Sequence, residues 1–417
     1  GCDMTSKERI LAAVHGEACD HIPLTTWCFG LPAPPTLQWH RDGDTVRFWY
    51  SKRMEHLHDI PGGWTLDDDF NRALAWQSLG VDDVLEVSVP WSMHPDVRWK
   101  DSRLSPGRGE RYEIMERVYE TPSGKLRHAV RKTGEEHFPG WVVQPDEVRL
   151  IEDFNIPRAA EHAVTTPEDI ERIAFLYQPP DANEKRWFED RMDRVEDCAS
   201  ARGFPVQAWA GFGMDAAVWF AGTEGAIMLA LDHPGAFGKL MEIITETDVK
   251  RAELAGSRSG VDIVAGRGWY SSTDFWSPAL FDSFVYPHIK ALADTAHRYG
   301  KPFAYVMTTG IEVLGPKLAD AGVDILYFLD PIDPTAGGSV SLSGLKELLG
   351  GKMTVFGGVS ALTLNEKNTK EIERQVKTAI DQFGPTARFV LHPVDALFPD
   401  TSWTGLEALI NVWKQYR

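Results

Sequence analysis

Toward the carboxyl end of the chain, residues 388–401 read RFVLHPVDALFPDT, a β-branched and aromatic run that breaks at Pro393 and leads into a Pro-Asp-Thr turn. His392, Asp395 and Asp400 therefore fall just past the end of a strand, where an imidazole and carboxylates can exchange protons with a bound molecule. Groups of similar kind end or follow six of the seven earlier runs. Trp27, Cys28 and Phe29 follow the first; Glu86 and Trp91 belong to the second and its exit; Trp209 and Phe212 follow the third. Trp269, Tyr270 and Asp274 follow the fourth, Tyr305 and Thr308 end the fifth, and Phe328 and Asp330 end the sixth. Aromatic walls with a few acids suit a flat or cationic methylated molecule: an aryl methyl ether, a quaternary ammonium compound or a pterin. In such a site Asp395, His392 or Tyr305 is the candidate general acid and Glu86 orients the substrate. Each residue has a plainer alternative. Many of the 15 tryptophans are expected in the core. Asp395 can be a turn carboxylate, His392 a satisfied loop histidine, Asp274 a turn cap and Cys28 a small buried apolar group. Gly357-Gly358 reads as a packing turn or, since barrels often hold phosphate there, a phosphate site.

The runs that must position these groups are Ile22–Trp27, Asp83–Val89, Phe204–Gly211, Val261–Arg267, Pro302–Thr308, Val323–Leu329, Met353–Gly358 and Arg388–Val394. Helix-length amphipathic sequence separates most of them. One helix opens at Ser277 with Pro278 in its first turn, carries Leu280, Phe284, Ile289, Leu292 and Ala296 on a period of roughly 3.6, and stops at Gly300. Another spans about Asn365 to Phe383, and Ser123-Gly124 reads as a hairpin turn. Repeated strand and helix order calls for parallel strands joined by right-handed crossovers, and eight units can close into a (β/α)8 TIM barrel; an open doubly wound sheet is the competing α/β architecture.

At 417 residues the chain exceeds a bare barrel of roughly 250. Residues 4–417 read as one barrel domain, with a lid-like insertion at 31–69 and a β-rich insertion at 91–153 after the second strand. The net charge of −18 argues against nucleic acid or an anionic membrane as partner. No apolar stretch approaches 18 residues and the start is not signal-like: Met4–Gly16 reads as an amphipathic helix with Ile10, Leu11 and Val14 buried. Four scattered cysteines without CxxC spacing suggest reduced thiols in a cytoplasmic protein.

The opening MTSKERILAAVHGEACDHIPLTTW resembles the start of the uroporphyrinogen decarboxylase superfamily. Further resemblances follow in order through EHAVTTPEDIERI, SPALFDSFVYPHIKALADTAHRYGKPF, LADAGVDIL, GKMTVFGGVS and FPDT. The resemblance implies a (β/α)8 barrel, a cytoplasmic homodimer, and one of two chemistries: decarboxylation without a cofactor, or methyl transfer involving a corrinoid protein, a thiol or a folate. Zinc-type methyltransferases of the superfamily carry a His-x-Cys pair ending strand five and a Cys after strand eight. Here the pair falls at Val306 and Thr308, or at Tyr305 and Met307 with a one-residue slip, and the third position is Asp395, so no metal of that kind is expected. The decarboxylases share an Arg-Gln-Ala-Gly-Arg loop after strand one, which here is CFGLPAPP with no arginine before Arg41, and their frequent His after strand eight is again Asp395. The leading expectation is a methyltransferase or demethylase for a small methylated substrate, with no tightly bound cofactor and a corrinoid protein or tetrahydrofolate as methyl acceptor. A carboxy-lyase using His392 as proton donor, and a ligand-binding barrel without catalysis, are the alternatives.

Overall fold

The computed structural model describes residues 3–32, 40–41, 44–45, 48–50, 66–133, 148–153, 156–331, 342–397 and 401–417. Most of the expected lid at 31–69, residues 134–147 of the expected β-rich insertion and Asp400 lie outside them.

Two short antiparallel pairs come first: β1 (Phe29–Pro32) with β4 (Phe48–Tyr50), and β2 (His40–Arg41) with β3 (Asp44–Thr45). The central element is a seven-stranded parallel sheet. In spatial order it runs β5 (Leu85–Ser88), β10 (Val206–Gly211), β11 (Ile263–Arg267), β12 (Phe303–Val306), β13 (Ile325–Leu329), β14 (Thr354–Val359), β15 (Phe389–Pro393). Helices follow most of these strands, as parallel crossovers require. Between β5 and β10 stands a four-stranded antiparallel sheet of β6 (Arg98–Leu104), β7 (Ile114–Thr121), β8 (Gly124–Arg131) and β9 (Ala159–Glu161). Its last strand lies beyond the expected limit at residue 153. Thr121 faces Gly124, so the tight turn is Pro122-Ser123, one residue earlier than expected.

The first expected strand, Ile22–Trp27, is not a regular strand. It makes isolated parallel bridges instead, Leu24 to Leu391 and Cys28 to Leu397. Thr25 N donates to Leu391 O at 3.1 Å and Leu391 N to Pro23 O at 2.9 Å, while on its other side Leu24 O accepts from Asp82 N at 3.0 Å. This segment thus meets both β15 and the entry to β5, the two edges of the curled sheet.

Alternation along the strands sorts side chains to two faces. Val84, Trp209, Ile263, Ala265, Ala304, Val306, Ile325, Tyr327, Phe356 and Val390 gather with Trp27 in an inner cluster. Leu85, Val87, Ala208, Val264, Phe303, Tyr305, Leu326, Val355 and Leu391 face the surrounding helices. The helix Ser6–His15, capped by Thr5 and ended by Gly16 at φ 68°, adds Ile10, Ala13 and Val14 to the inner cluster. It is tied to the amino ends of the strands by Thr354 Oγ1, which donates to Ala13 O at 2.8 Å, and by Arg388 Nη1, which donates to Val14 O at 2.8 Å.

The helix expected from Ser277 to Gly300 has the expected cap, Ser277 Oγ accepting from Leu280 N at 3.2 Å. It contains a π-helical turn, Phe281–Val285, just before Tyr286–Arg298. Pro287 has no N–H to give the turn before it, which accounts for the widening there. The helix expected from Asn365 begins at Thr369, where Asn368 Oδ1 accepts from Glu371 N at 3.2 Å, and a separate short helix occupies Ala361–Asn365. Gly357 and Gly358 lie inside β14 rather than in a turn; a Cβ on Gly357 would stand 2.4 Å from Leu329 O. No single helix among the described residues is long and apolar enough to cross a membrane. Met214–Ala221 and Thr223–Asp232 pass such a test only together, bent by 103°.

Candidate functional site

At the carboxyl ends of the parallel strands the inner face is aromatic. Trp27 is its hub: ring centroids of Trp209, Trp269, Tyr327, Phe328 and His392 lie 4.5 to 5.8 Å away. His392 also packs on Phe328 at 4.9 Å and is fully buried. Its Nδ1 bonds Pro393 O, and a carbonyl only accepts, so Nδ1 carries a proton and Nε2 of the neutral ring is an acceptor. His392 therefore takes a proton in its neutral form and can give one from Nε2 only when charged. Glu86 also points inward, where Oε2 accepts from Trp209 Nε1 at 2.7 Å and Oε1 from Gln207 Nε2 at 3.4 Å. Tyr327 OH extends the chain to Gln207 Oε1 at 3.3 Å. Both Glu86 oxygens thus hold the aromatic layer from within the sheet.

One wall carries charge. Arg267 ends β11 and is 1% exposed; its Nε donates to Asp215 Oδ2 at 2.6 Å and its Nη2 to both Asp153 oxygens at 2.9 Å. The guanidinium lies over Trp219 at 4.7 Å and Trp269 at 4.4 Å. Tyr270 OH and Trp219 Nε1 complete Asp153 at 2.7 and 2.9 Å, and Asp215 accepts from the Tyr270 and Trp269 amides. Burial pushes the Asp215 carboxyl up despite the Arg267 charge.

Asp395 joins this wall. Burial and the negative charge of Asp153 push its carboxyl up to about 6, against the pull of Arg267 and a hydrogen bond from the Trp269 indole, with Asp330 raising it further. Its backbone is left-handed at φ 67°, a region in which aspartate is tolerated better than most side chains. A carboxyl poised near 6 can both hold and release a proton around neutral pH.

Other expected site residues point elsewhere. Tyr305 shares a face with Phe303, not with Val306, because successive strand residues alternate; its hydroxyl bonds Ser271 Oγ at 2.8 Å behind the loop after β11. That placement corrects its assignment as a general acid at the mouth, and burial raises the phenol further above its ordinary range. Cys28 likewise turns outward from Trp27, and burial pushes its thiol up to about 11. Trp91 stacks on Tyr177 at 5.9 Å and meets Phe212 at 5.1 Å, away from the Trp27 group. Asp274 is exposed and accepts from Thr309 Oγ1 at 2.7 Å; Thr308 is half-buried just past β12. The side chain of Phe29 lies outside the described residues. Val306, at the position of the first zinc ligand in the superfamily's zinc enzymes, is an apolar member of the inner cluster. An apolar residue, a neutral threonine and a carboxylate do not match the thiolate-rich donor set of such a site.

The sequence reading passed over Asp153, Asp215 and Arg267. Asp215 and Arg267 each interrupt an apolar stretch, and a charge buried there needs a partner, which is the signal they offered. It also passed over the support behind the wall. Asp248 is fully buried and accepts from the Phe212 and Gly213 amides at 2.9 Å each, from His288 Nε2 at 2.7 Å and from Tyr177 OH. Burial works against its charge, but the His288 hydrogen bond and its partners outweigh it and hold the carboxyl below its ordinary value. Arg251, fixed by Asp248, donates through Nε and Nη2 to Val89 O at 2.9 and 2.7 Å, clipping the ends of β5 and β10 together. Gly213, at φ 52°, leaves room for the His288 ring, which a Cβ would approach to 2.6 Å.

No curated protein matches the chain. Among solved structures, a methyltransferase from Methanosarcina mazei is similar over 99% of both chains, with 16% identity and a TM-score of 0.59. A 3-keto-D-glucoside 4-epimerase from E. coli covers 62% of this chain and 96% of its own at 12% identity, with a TM-score of 0.34. The family described as Uroporphyrinogen decarboxylase (URO-D) matches residues 147–416, well over half of the chain, and the protein belongs to that family.

Proposed function

We propose that this protein is a methyltransferase or demethylase for a small methylated substrate, with a corrinoid protein or tetrahydrofolate as methyl acceptor. The observation that carries the reading is Asp395, a carboxyl raised to about 6 and hydrogen-bonded to Trp269 beside the Trp27 rings. In this reading the sheet closes into a (β/α)8 barrel through the Pro23–Cys28 segment, and the strand ends face one opening. The acceptor supplies the nucleophile. When the bond between methyl group and heteroatom breaks, its electron pair stays on the heteroatom, which takes the Asp395 proton. The rings around Trp27 hold the flat or cationic body of the substrate. The structural likeness to a methyltransferase supports the fold needed for this, and the homodimer implied by the superfamily is retained as part of the proposal.

The test is direct. Purified protein incubated anaerobically with methyl ethers or quaternary ammonium compounds and reduced cobalamin, or with tetrahydrofolate, is expected to give the methylated acceptor and the demethylated product by mass spectrometry. Absence of both products with either acceptor would sink the reading. A second reading, a carboxy-lyase, rests on the buried His392, whose Nε2 can give a proton to a carbanion when the ring is charged. Release of carbon dioxide from an aromatic or aliphatic acid, without methyl transfer, would decide for it.

A further inference from the structure

A guanidinium carries five N–H donors, and on Arg267 they are unevenly used. Nε and Nη2 are taken by Asp215 and Asp153, and two indole faces hold the plane of the group. Nη1 is buried and has no hydrogen-bond partner among the described residues. A donor in that state is costly, and a group fixed by two carboxylates and two rings cannot swing away to find water.

The alternation of β11 sets the direction. Arg267 shares its face with Ile263 and Ala265, both in the inner cluster with Trp27, and the Trp269 ring on which it lies is 5.8 Å from Trp27. Its open donors therefore belong to the same wall as the aromatic hub. The charge balance restricts what can meet them. Asp153 and Asp215 already match the cation, and Asp330 and, once it has given up its proton, Asp395 add negative charge nearby. A carboxylate ligand would bring one more anion to this wall, and a quaternary ammonium group has no lone pair for an N–H. A neutral oxygen fits both conditions.

We propose that Arg267 Nη1 is the substrate anchor, donating to a neutral ether or carbonyl oxygen of an aromatic ligand held against Trp27 and Trp269. This rests on the reading of the strand ends as the site for a small methylated molecule, and narrows it to ligands with an uncharged oxygen beside the ring.

Four probes of similar size test it in tryptophan-fluorescence titrations: anisole, ethylbenzene, benzoate and phenyltrimethylammonium. Wild-type protein is expected to bind anisole about tenfold more tightly than ethylbenzene, which replaces the oxygen by a methylene, and more tightly than either charged probe. In Arg267→Lys, which keeps a cation for Asp153 and Asp215 but loses Nη1, the anisole-to-ethylbenzene ratio should fall to about one. Equal binding of anisole and ethylbenzene by the wild type overturns the anchor and leaves the aromatic site standing. Tightest binding of benzoate or phenyltrimethylammonium overturns the choice of a neutral oxygen. Binding of none of the four overturns the anchor and the aromatic site together. The wild-type comparison alone decides the matter if Arg267→Lys does not fold.

Discussion

Two buried arginines border this sheet, Arg251 on the helix Pro234–Gly256 and Arg267 at the end of β11, and their surroundings are built from the same parts. Arg251 lies over Phe212 at 4.3 Å and Trp91 at 5.2 Å and pairs with Asp248; Arg267 lies over Trp269 and Trp219 and pairs with Asp215 and Asp153. They differ in how their donors end. Arg251 places Nε and Nη2 on the Val89 carbonyl and Nη1 on Tyr177 OH and Asp248. Arg267 leaves Nη1 buried and without a hydrogen-bond partner among the described residues. A fully satisfied buried network fixes a structure, whereas one with an open donor keeps an unmet interaction for something else. The back of the sheet is therefore read as scaffold and the front as site.

The largest effect expected is on the scaffold side. Arg251→Met leaves Asp248 buried with one cationic partner fewer and releases the Val89 carbonyl. Unfolding free energy measured with denaturant should fall by about 3–5 kcal/mol. A loss below about 1 kcal/mol would mean that the Asp248 cluster does not clip β5 to β10, and the contrast between the two arginines would fail.

On the site side, Asp395→Asn removes the charge and keeps the shape, including a residue tolerant of the left-handed backbone. Turnover of a substrate found by the methyl-transfer screen should drop about a hundredfold or more. With wild-type protein, the rate should decline as pH rises past about 6, because the acid form is lost there. An unchanged rate in Asp395→Asn would move the proton chemistry to His392.

The sequence carried the sheet well and the site unevenly, for identifiable reasons. Seven of the apolar runs became parallel strands because each is short, β-branched and bounded by turn residues. Trp27, Trp209, Phe328 and His392 could be placed at strand ends by counting alone. The face was harder: a shift of one residue exchanges Tyr305 for Val306 and Cys28 for Trp27, and nothing within one strand states which parity faces inward. The charged wall was out of reach for another reason. Asp153 meets Arg267 across 114 residues of sequence, from the segment between β8 and β9 of the antiparallel insertion, so only the fold discloses the pair.

Tyr305 offers a smaller test of the two-face division. Its hydroxyl bonds Ser271 Oγ, which in turn donates to Gly268 O at 2.6 Å. Tyr305→Phe should cost about 1 kcal/mol of stability, the worth of one buried hydrogen bond, and leave turnover within threefold. A hundredfold loss of turnover with normal stability would return the phenol to the site and break the inner and outer assignment.

The smallest effect is thermodynamic and separates Asp395 from Asp248 by sign. Asp395 is raised from 3.8 to about 6, so between those values the folded chain holds more protons than the unfolded one, and its contribution to stability falls as pH rises. Above about 6 the penalty is complete. Asp248 is lowered, so its contribution is present above the ordinary carboxyl range and is lost on acidification. Asp395→Asn should therefore match the wild-type Tm near pH 4 and exceed it near pH 7.5, by on the order of 1–3 °C once partial exposure of the carboxyl is allowed for. Asp248→Asn should lie below wild type at pH 7.5 and approach it on acidification. A Tm difference for Asp395→Asn that is the same at both pH values would assign its effect to shape rather than charge. Asp395 would then be one more turn carboxylate, and the front of the sheet would lose the feature that most distinguishes it from the back.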